Sequence, residues 1–371
     1  MLQDLITVTI NNLNVRYGID ISLVEMDDDI LLPTVNKRKM TIRFNPRMRN
    51  LFRLYKYGSA DLIVKYYLMH KFMSYNMYDD AEHWVLKVES KLNKEIKKQK
   101  KIVYRLGRLA TRMRDYVSQN DINLSSEDIR GFQILFVLLH EYSHALFTKC
   151  EDIKNKNYDR IKETVQTLCE CDKYQILRII HGDAPWRARS FVKRYFCCDT
   201  IVKYTSLMTE FAKDERKVEE YACDLHAWSI ILNILHYGGY TIHEQCIIFK
   251  EIIETLYYLE SYKVMDDGLT GKNDMSKAEG VALFDSTRYS LLTHAVIMYL
   301  EGLEKGLGVK FDRKFSVFRW AERRKFSSVL LMFAEVALKL REGANIPDSN
   351  KSLKAKQMVK DLETQVSSEM V

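Results

Sequence analysis

The residues best suited by type and spacing to do chemistry are His140-Glu141-Tyr142-Ser143-His144. Two imidazoles four positions apart share one face of a helix, so both can meet a single ion, and H-E-x-x-H is the spacing of a zinc site. Glu141, one step on from His140, projects at another angle and can reach a water at the metal without ligating it, as a general base must. Val137-Leu138-Leu139 precede the motif and Ala145-Leu146-Phe147 follow it, and polar groups in so apolar a helix are costly unless something satisfies them. A metal ion would. The plainer alternative is two histidines and a glutamate that face solvent or are satisfied by core hydrogen bonds.

A catalytic zinc needs a third protein ligand and an open position. A three-histidine site of the H-E-x-x-H-x-x-G-x-x-H type would need Gly at 147 and His at 150, where this chain has Phe147 and Cys150. The remaining ligand is therefore sought downstream, and the segment Val218–Trp228 stands out because its carboxylates lead into Ile230-Ile231-Leu232 rather than into polar sequence. Glu220 and Asp224, at i and i+4, can act together, Glu220 on the metal and Asp224 on the outer N–H of a ligand imidazole. An acidic first helical turn that complements the dipole suits Asp214, Glu215 and Glu219. Glu210 and Asp214 share the spacing but sit among Lys213, Glu215, Arg216 and Lys217, so they are weaker candidates. His226 is an alternative third ligand or a donor to a substrate oxyanion, against the commoner fate of a core or surface histidine.

His140-Glu141-x-x-His144 followed by Glu220-x-x-x-Asp224 resembles the gluzincin zinc peptidases, whose third ligand is a Glu on a later helix. The likeness covers two short helices. The long gap from His144 to Glu220 is most similar to that of the soluble Lit-type (phage-exclusion) and the CAAX-prenyl-protease-like peptidases, although Cys223 stands where the latter usually carry Ala. The resemblance implies that His140, His144 and Glu220 bind one Zn2+ per chain, that Glu141 is the base, and that Asp224 supports a histidine. It implies hydrolysis of peptide bonds in a protein or peptide substrate, with Glu141 taking a proton from zinc-bound water. An oxyanion or substrate contact is expected from His226 or from Arg288, Tyr289 and His294, whose helix has a capped start at Asp285-Ser286-Thr287.

These residues need elements to hold them. With only 14 Gly and 4 Pro in 371 residues, helix should dominate. Ser125-Ser126-Glu127-Asp128 approximates a capping box, which puts 140–144 well inside a helix. Further helices are expected in 61–73 and 80–117, and at about 157–181, 199–237, 242–263, 286–304 and 325–342, with a loop at Gly268–Asp274. Strand signals concentrate in Ile6–Ile10, Ile19–Val24 and Met40–Phe44, with turn-like Asp27-Asp28-Asp29 and Leu32-Pro33 between the last two. Met40–Asn45 reads equally as a core strand or as an edge that pairs with a peptide. The fold expected is mainly α (α+β), a zincin-like helical domain with a small N-terminal sheet. Residues 1–48 form its β-rich N-terminal segment, 49–342 the catalytic body and 343–371 a polar tail.

Composition excludes some classes. The apolar stretch Phe132–Phe147 is short for a bilayer and is interrupted by the motif, so no membrane span is expected, and the first residues lack an export signal. Seven cysteines without C-x-x-C spacing read as reduced thiols, which fits a cytoplasmic location. The charge of +7, from 57 basic and 50 acidic residues, is a mild excess, and Lys97–Lys101 reads as a solvated helix face. Nucleic acid is not the expected partner. The alternatives to an enzyme are a non-catalytic zincin-like interaction module, or a nucleic-acid-associated regulator with a protease-like domain.

Overall fold

The computed structural model describes residues 2–26, 31–57, 124–170 and 201–270, together with helical positions between 288 and 306. Within these residues the chain is mainly helical with one small sheet near its beginning, as its composition predicts. No described helix is long and apolar enough to cross a membrane.

The first element corrects the sequence reading. Ile6–Ile10 is not a strand but part of helix α1, Leu2–Tyr17. Ile6, Ile10 and Leu13 are all buried at helical spacing, while Val8 is exposed. β-branched residues lose only a few tenths of a kcal/mol per position in a helix, whereas burying each large aliphatic side chain contributes about 1.5–3 kcal/mol, so burial decides. The segment 1–48 is therefore as much helical as β.

Three strands follow: β1 (Ser22–Glu25), β2 (Thr34–Asn36) and β3 (Thr41–Phe44). Their order is β1-β3-β2, with β1 parallel and β2 antiparallel to the central β3. Met40–Asn45 thus contains the middle strand rather than an edge. β2, only three residues long and directly after Pro33, carries too little pattern to be seen in the sequence, and it is an edge. The β2–β3 hairpin turns through residues 37–40, with Met40 at φ +50°.

Helix α2 (Met48–Tyr57) leads away from the sheet. The central element is α3, Ser126–Phe147. Ser125 caps it: its Oγ accepts from Asp128 N at 3.1 Å, and Asp128 Oδ2 accepts from Ser125 N at 3.1 Å, the reciprocal box expected from the sequence. Phe132, Leu135, Phe136, Leu138, Leu139, Tyr142, Ala145 and Leu146 are buried on every side of it. A helix apolar all round is enclosed by others, and α3 packs against α1, α2, β2, β3 and the first, third and fourth of the four helices that follow next.

Those are α4 (Glu151–Glu170), α5 (Ile201–Lys213), α6 (Glu215–Tyr237) and α7 (Ile242–Thr270). The single helix expected over 199–237 is two, because the Asp214 carboxylate turns to accept from Arg216 N and Lys217 N and so begins α6 anew. Thr241 and Glu244 form a second capping box at the start of α7. That helix runs on through Gly268 to Thr270, where a loop was expected; one helical glycine costs only about 1 kcal/mol. The described positions between 288 and 306 are helical, and Leu291, Leu292 and Val296 are buried. The helices expected at 61–73, 80–117 and 325–342, the basic run 97–101 and the polar tail lie outside the described residues.

Candidate metal centre

α3 and α6 pack closely together, and their polar side chains meet in one cluster. On α3, His140 and His144 are successive turns of one face, and each is only 8% exposed. Their Nε2 atoms lie 3.2 Å apart. Glu220 on α6 closes the third corner: Oε2 is 3.4 Å from His140 Nε2, and Oε1 is 3.4 Å from His144 Nε2. Donors about 2.0–2.1 Å from a tetrahedral ion stand about 3.3–3.4 Å from one another. Each imidazole meets that spacing with one of the two carboxylate oxygens, and one ligand atom from each side chain lies within 4.8 Å of the others, so together they could hold a metal ion.

Each imidazole is held from behind. His140 Nδ1 is 2.8 Å from Asp224 Oδ1, with its ring N–H turned off the line to the oxygen, so the contact is first of all an ion pair. His144 Nδ1 is 2.9 Å from Glu219 Oε1, the oxygen that also accepts from Lys37 Nζ at 2.8 Å. A carboxylate behind each imidazole fixes the ring and would direct Nε2 to an ion held there. The sequence reading assigned one of the pair, Asp224. It left Glu219 among the dipole-complementing acids, since nothing local to α6 says that this face turns toward His144.

Asp224 is fully buried and does not stand on His140 alone. Arg288 donates from Nε to Asp224 Oδ2 and from Nη2 to Oδ1, both at 2.7 Å, and its Nη1 is 3.2 Å from Glu220 Oε2. The residue proposed for the substrate oxyanion therefore faces the carboxylates of the centre. Tyr289 and His294 lie outside the described residues.

The electrostatics follow from crowding. Burial opposes a charge on His140, but Asp224 and Glu220 outweigh it and raise its pKa to about 10. His144 is likewise raised, burial being outweighed by Glu219 and Glu220. Glu219 is lowered to about 2, chiefly by its bond to His144, with Lys37 adding to the effect. Glu220 is buried enough to resist ionisation, yet the two histidines and Arg288 hold it well below the usual carboxylate range. Asp224 is lowered too, the burial that opposes its charge being overcome by Arg288 and His140. Glu219, Glu220 and Asp224, all held below the usual carboxylate range, outnumber the Arg288 and Lys37 cations that face them, so the cluster is short of positive charge. Protonated imidazoles or a bound cation would offset that excess of negative charge.

Glu141, beside the cluster, behaves differently: burial raises its pKa, against the pull of both histidines. A carboxylate pushed upward is the better proton acceptor. The Glu220 side chain stays 36% exposed, so the cluster opens toward solvent on that side. Cys223, buried between Glu220 and Asp224 in sequence, is held neutral by burial and by those carboxylates, so it offers no thiolate.

His226 stands outside this group. Its Nδ1 lies 2.8 Å from Ser143 Oγ and its Nε2 3.3 Å from Tyr17 Oη, while Ser143 Oγ donates to Leu139 O at 2.7 Å. The hydrogens then run from Tyr17 to Nε2, and from Nδ1 to Ser143. Burial lowers its pKa to about 4, so the ring is neutral and ties α1 to α3 and α6. Of the weaker candidates, Asp214 is the α6 cap and Glu210 pairs with Lys213 at the surface.

No family model, curated protein or solved structure matches the chain. The reading of the centre rests on its own geometry.

Proposed function

We propose that this chain is a zinc-dependent metallopeptidase of the gluzincin kind, an endopeptidase that hydrolyses peptide bonds of a protein substrate. The observation that carries this reading is the triangle of His140 Nε2, His144 Nε2 and the Glu220 carboxylate, 3.2–3.4 Å on its edges, with Glu141 beside it and an opening to solvent. The donors fit zinc: two neutral imidazoles and one carboxylate are an open catalytic set, whereas structural zinc is closed by four protein ligands. Among the described residues the group has three, which favours catalysis over a purely structural role.

Zinc held there would supply Lewis acidity and a water acidified toward a pKa of about 7. Glu141, beside these ligands, would act as the base that accepts a proton from the attacking water and returns it to the leaving amine. Asp224 and Glu219 keep the two imidazoles aimed at the ion throughout. The edge strand β2, which has no further strand partner among the described residues, packs on α3 and leads into the hairpin that carries Lys37, and this favours an extended peptide as substrate. A cytoplasmic location belongs to the same proposal, supported by the free thiols of Cys150, Cys223 and Cys246. The test is metal analysis of the purified protein, together with trapping of substrates by Glu141→Gln. Absence of any bound or bindable zinc would overturn the reading.

A further inference from the structure

We infer that Arg288 is the positioning residue of the centre: its guanidinium locks Asp224 and one oxygen of Glu220, and so presets the metal ligands. The inference rests on the metal-centre reading above. Asp224 is wholly buried, and Arg288 meets it side-on with two N–H groups at 2.7 Å each. Such a planar fork matches a carboxylate as no ammonium can. Asp224 Oδ1 is shared between Arg288 Nη2 and His140 Nδ1, so the arginine sets the place of the atom that orients His140. The third nitrogen, Nη1, lies 3.2 Å from Glu220 Oε2, while Oε1 is the oxygen on the His144 side.

One guanidinium thus acts on two of the metal's supports at once. Holding Oε2, the oxygen 3.4 Å from His140 Nε2, fixes the orientation in which the Glu220 carboxylate faces the two imidazoles. The side chain is 16% exposed and faces carboxylates through Nε, Nη1 and Nη2, which suits a clamp rather than a substrate contact.

The experiment measures zinc affinity by competition with a chromophoric chelator, and the visible spectrum of the cobalt-substituted protein, for wild type, Arg288→Lys, Arg288→Gln and Arg288→Ala. Arg288→Lys keeps the charge and much of the volume, so it carries the test should the shorter variants fail to fold. The expected result is affinity lower by about 10–100-fold in Arg288→Lys, with an altered cobalt spectrum as the ligand carboxylate loses its fixed orientation. Millimolar guanidinium should restore both in Arg288→Ala. Unchanged affinity and an unchanged cobalt spectrum in Arg288→Lys overturn the inference and leave the metal centre standing. Wild type that binds neither zinc nor cobalt overturns the metal reading itself, and this inference with it.

Discussion

Glu219 Oε1 sits 2.9 Å from His144 Nδ1, and the same oxygen takes a hydrogen bond from Lys37 at 2.8 Å. Through this one atom the β2–β3 hairpin is tied to an imidazole of the candidate metal centre on α3. Glu219→Gln should weaken zinc binding by about 10–100-fold, as loss of a ligand's supporting partner does. Lys37→Met should have a much smaller effect, since Lys37 is 43% exposed and solvent screens the pair. Chelator competition on the two variants separates these outcomes, and equal losses would contradict the ranking.

Glu141→Gln should bind zinc as wild type does and lose turnover by about 10²–10⁴-fold or more, because an amide cannot accept the proton. Zinc content and peptide hydrolysis measured on the same preparation provide the check. Retention of full activity would remove Glu141 from its role as base.

His144→Ala and Glu220→Ala should each lose the metal and its stabilising effect. Bound ligand stabilises the folded state by mass action, so excess zinc should raise the melting temperature of wild type and not of these variants. Binding must also displace the proton held on His140, whose pKa is about 10 without metal. Apparent affinity should therefore climb with pH toward that value, with proton release detectable by calorimetry in buffers of different ionisation enthalpy.

His226 has a depressed pKa of about 4 in the folded chain against 6.5 ordinarily. A depressed folded value means that its contribution is complete above about pH 6.5 and is lost as pH falls through about 4. Metal-free protein should lose up to roughly 3 kcal/mol of stability across that window from this residue. His226→Leu should flatten the slope there, and at pH 7 it should cost about 1–3 kcal/mol through loss of the hydrogen bonds that His226 makes with Ser143 and Tyr17. Denaturant melts at several pH values measure both effects, and an unaltered slope in the variant would refute this account.

The sequence by itself determined what is local. Helical geometry alone brings His140 and His144 together four residues apart, and Ser125 and Asp128 mark the start of their helix within a single turn. Glu220 and Asp224 were legible for the same reason, as acids one turn apart entering an apolar helix. The tertiary structure decided what depends on how elements are rotated and packed against one another. Only the face that α6 turns toward α3 gives Glu219 to His144, and only the placement of residue 288 gives Arg288 to Asp224 and Glu220. Burial between elements made 2–17 a helix although its β-branched residues read as strand, and sheet order put β3 at the centre with β2 at the edge. Such pairings join residues as far apart as Lys37 and Glu219, and no spacing along the chain encodes which side of a helix will meet its neighbour.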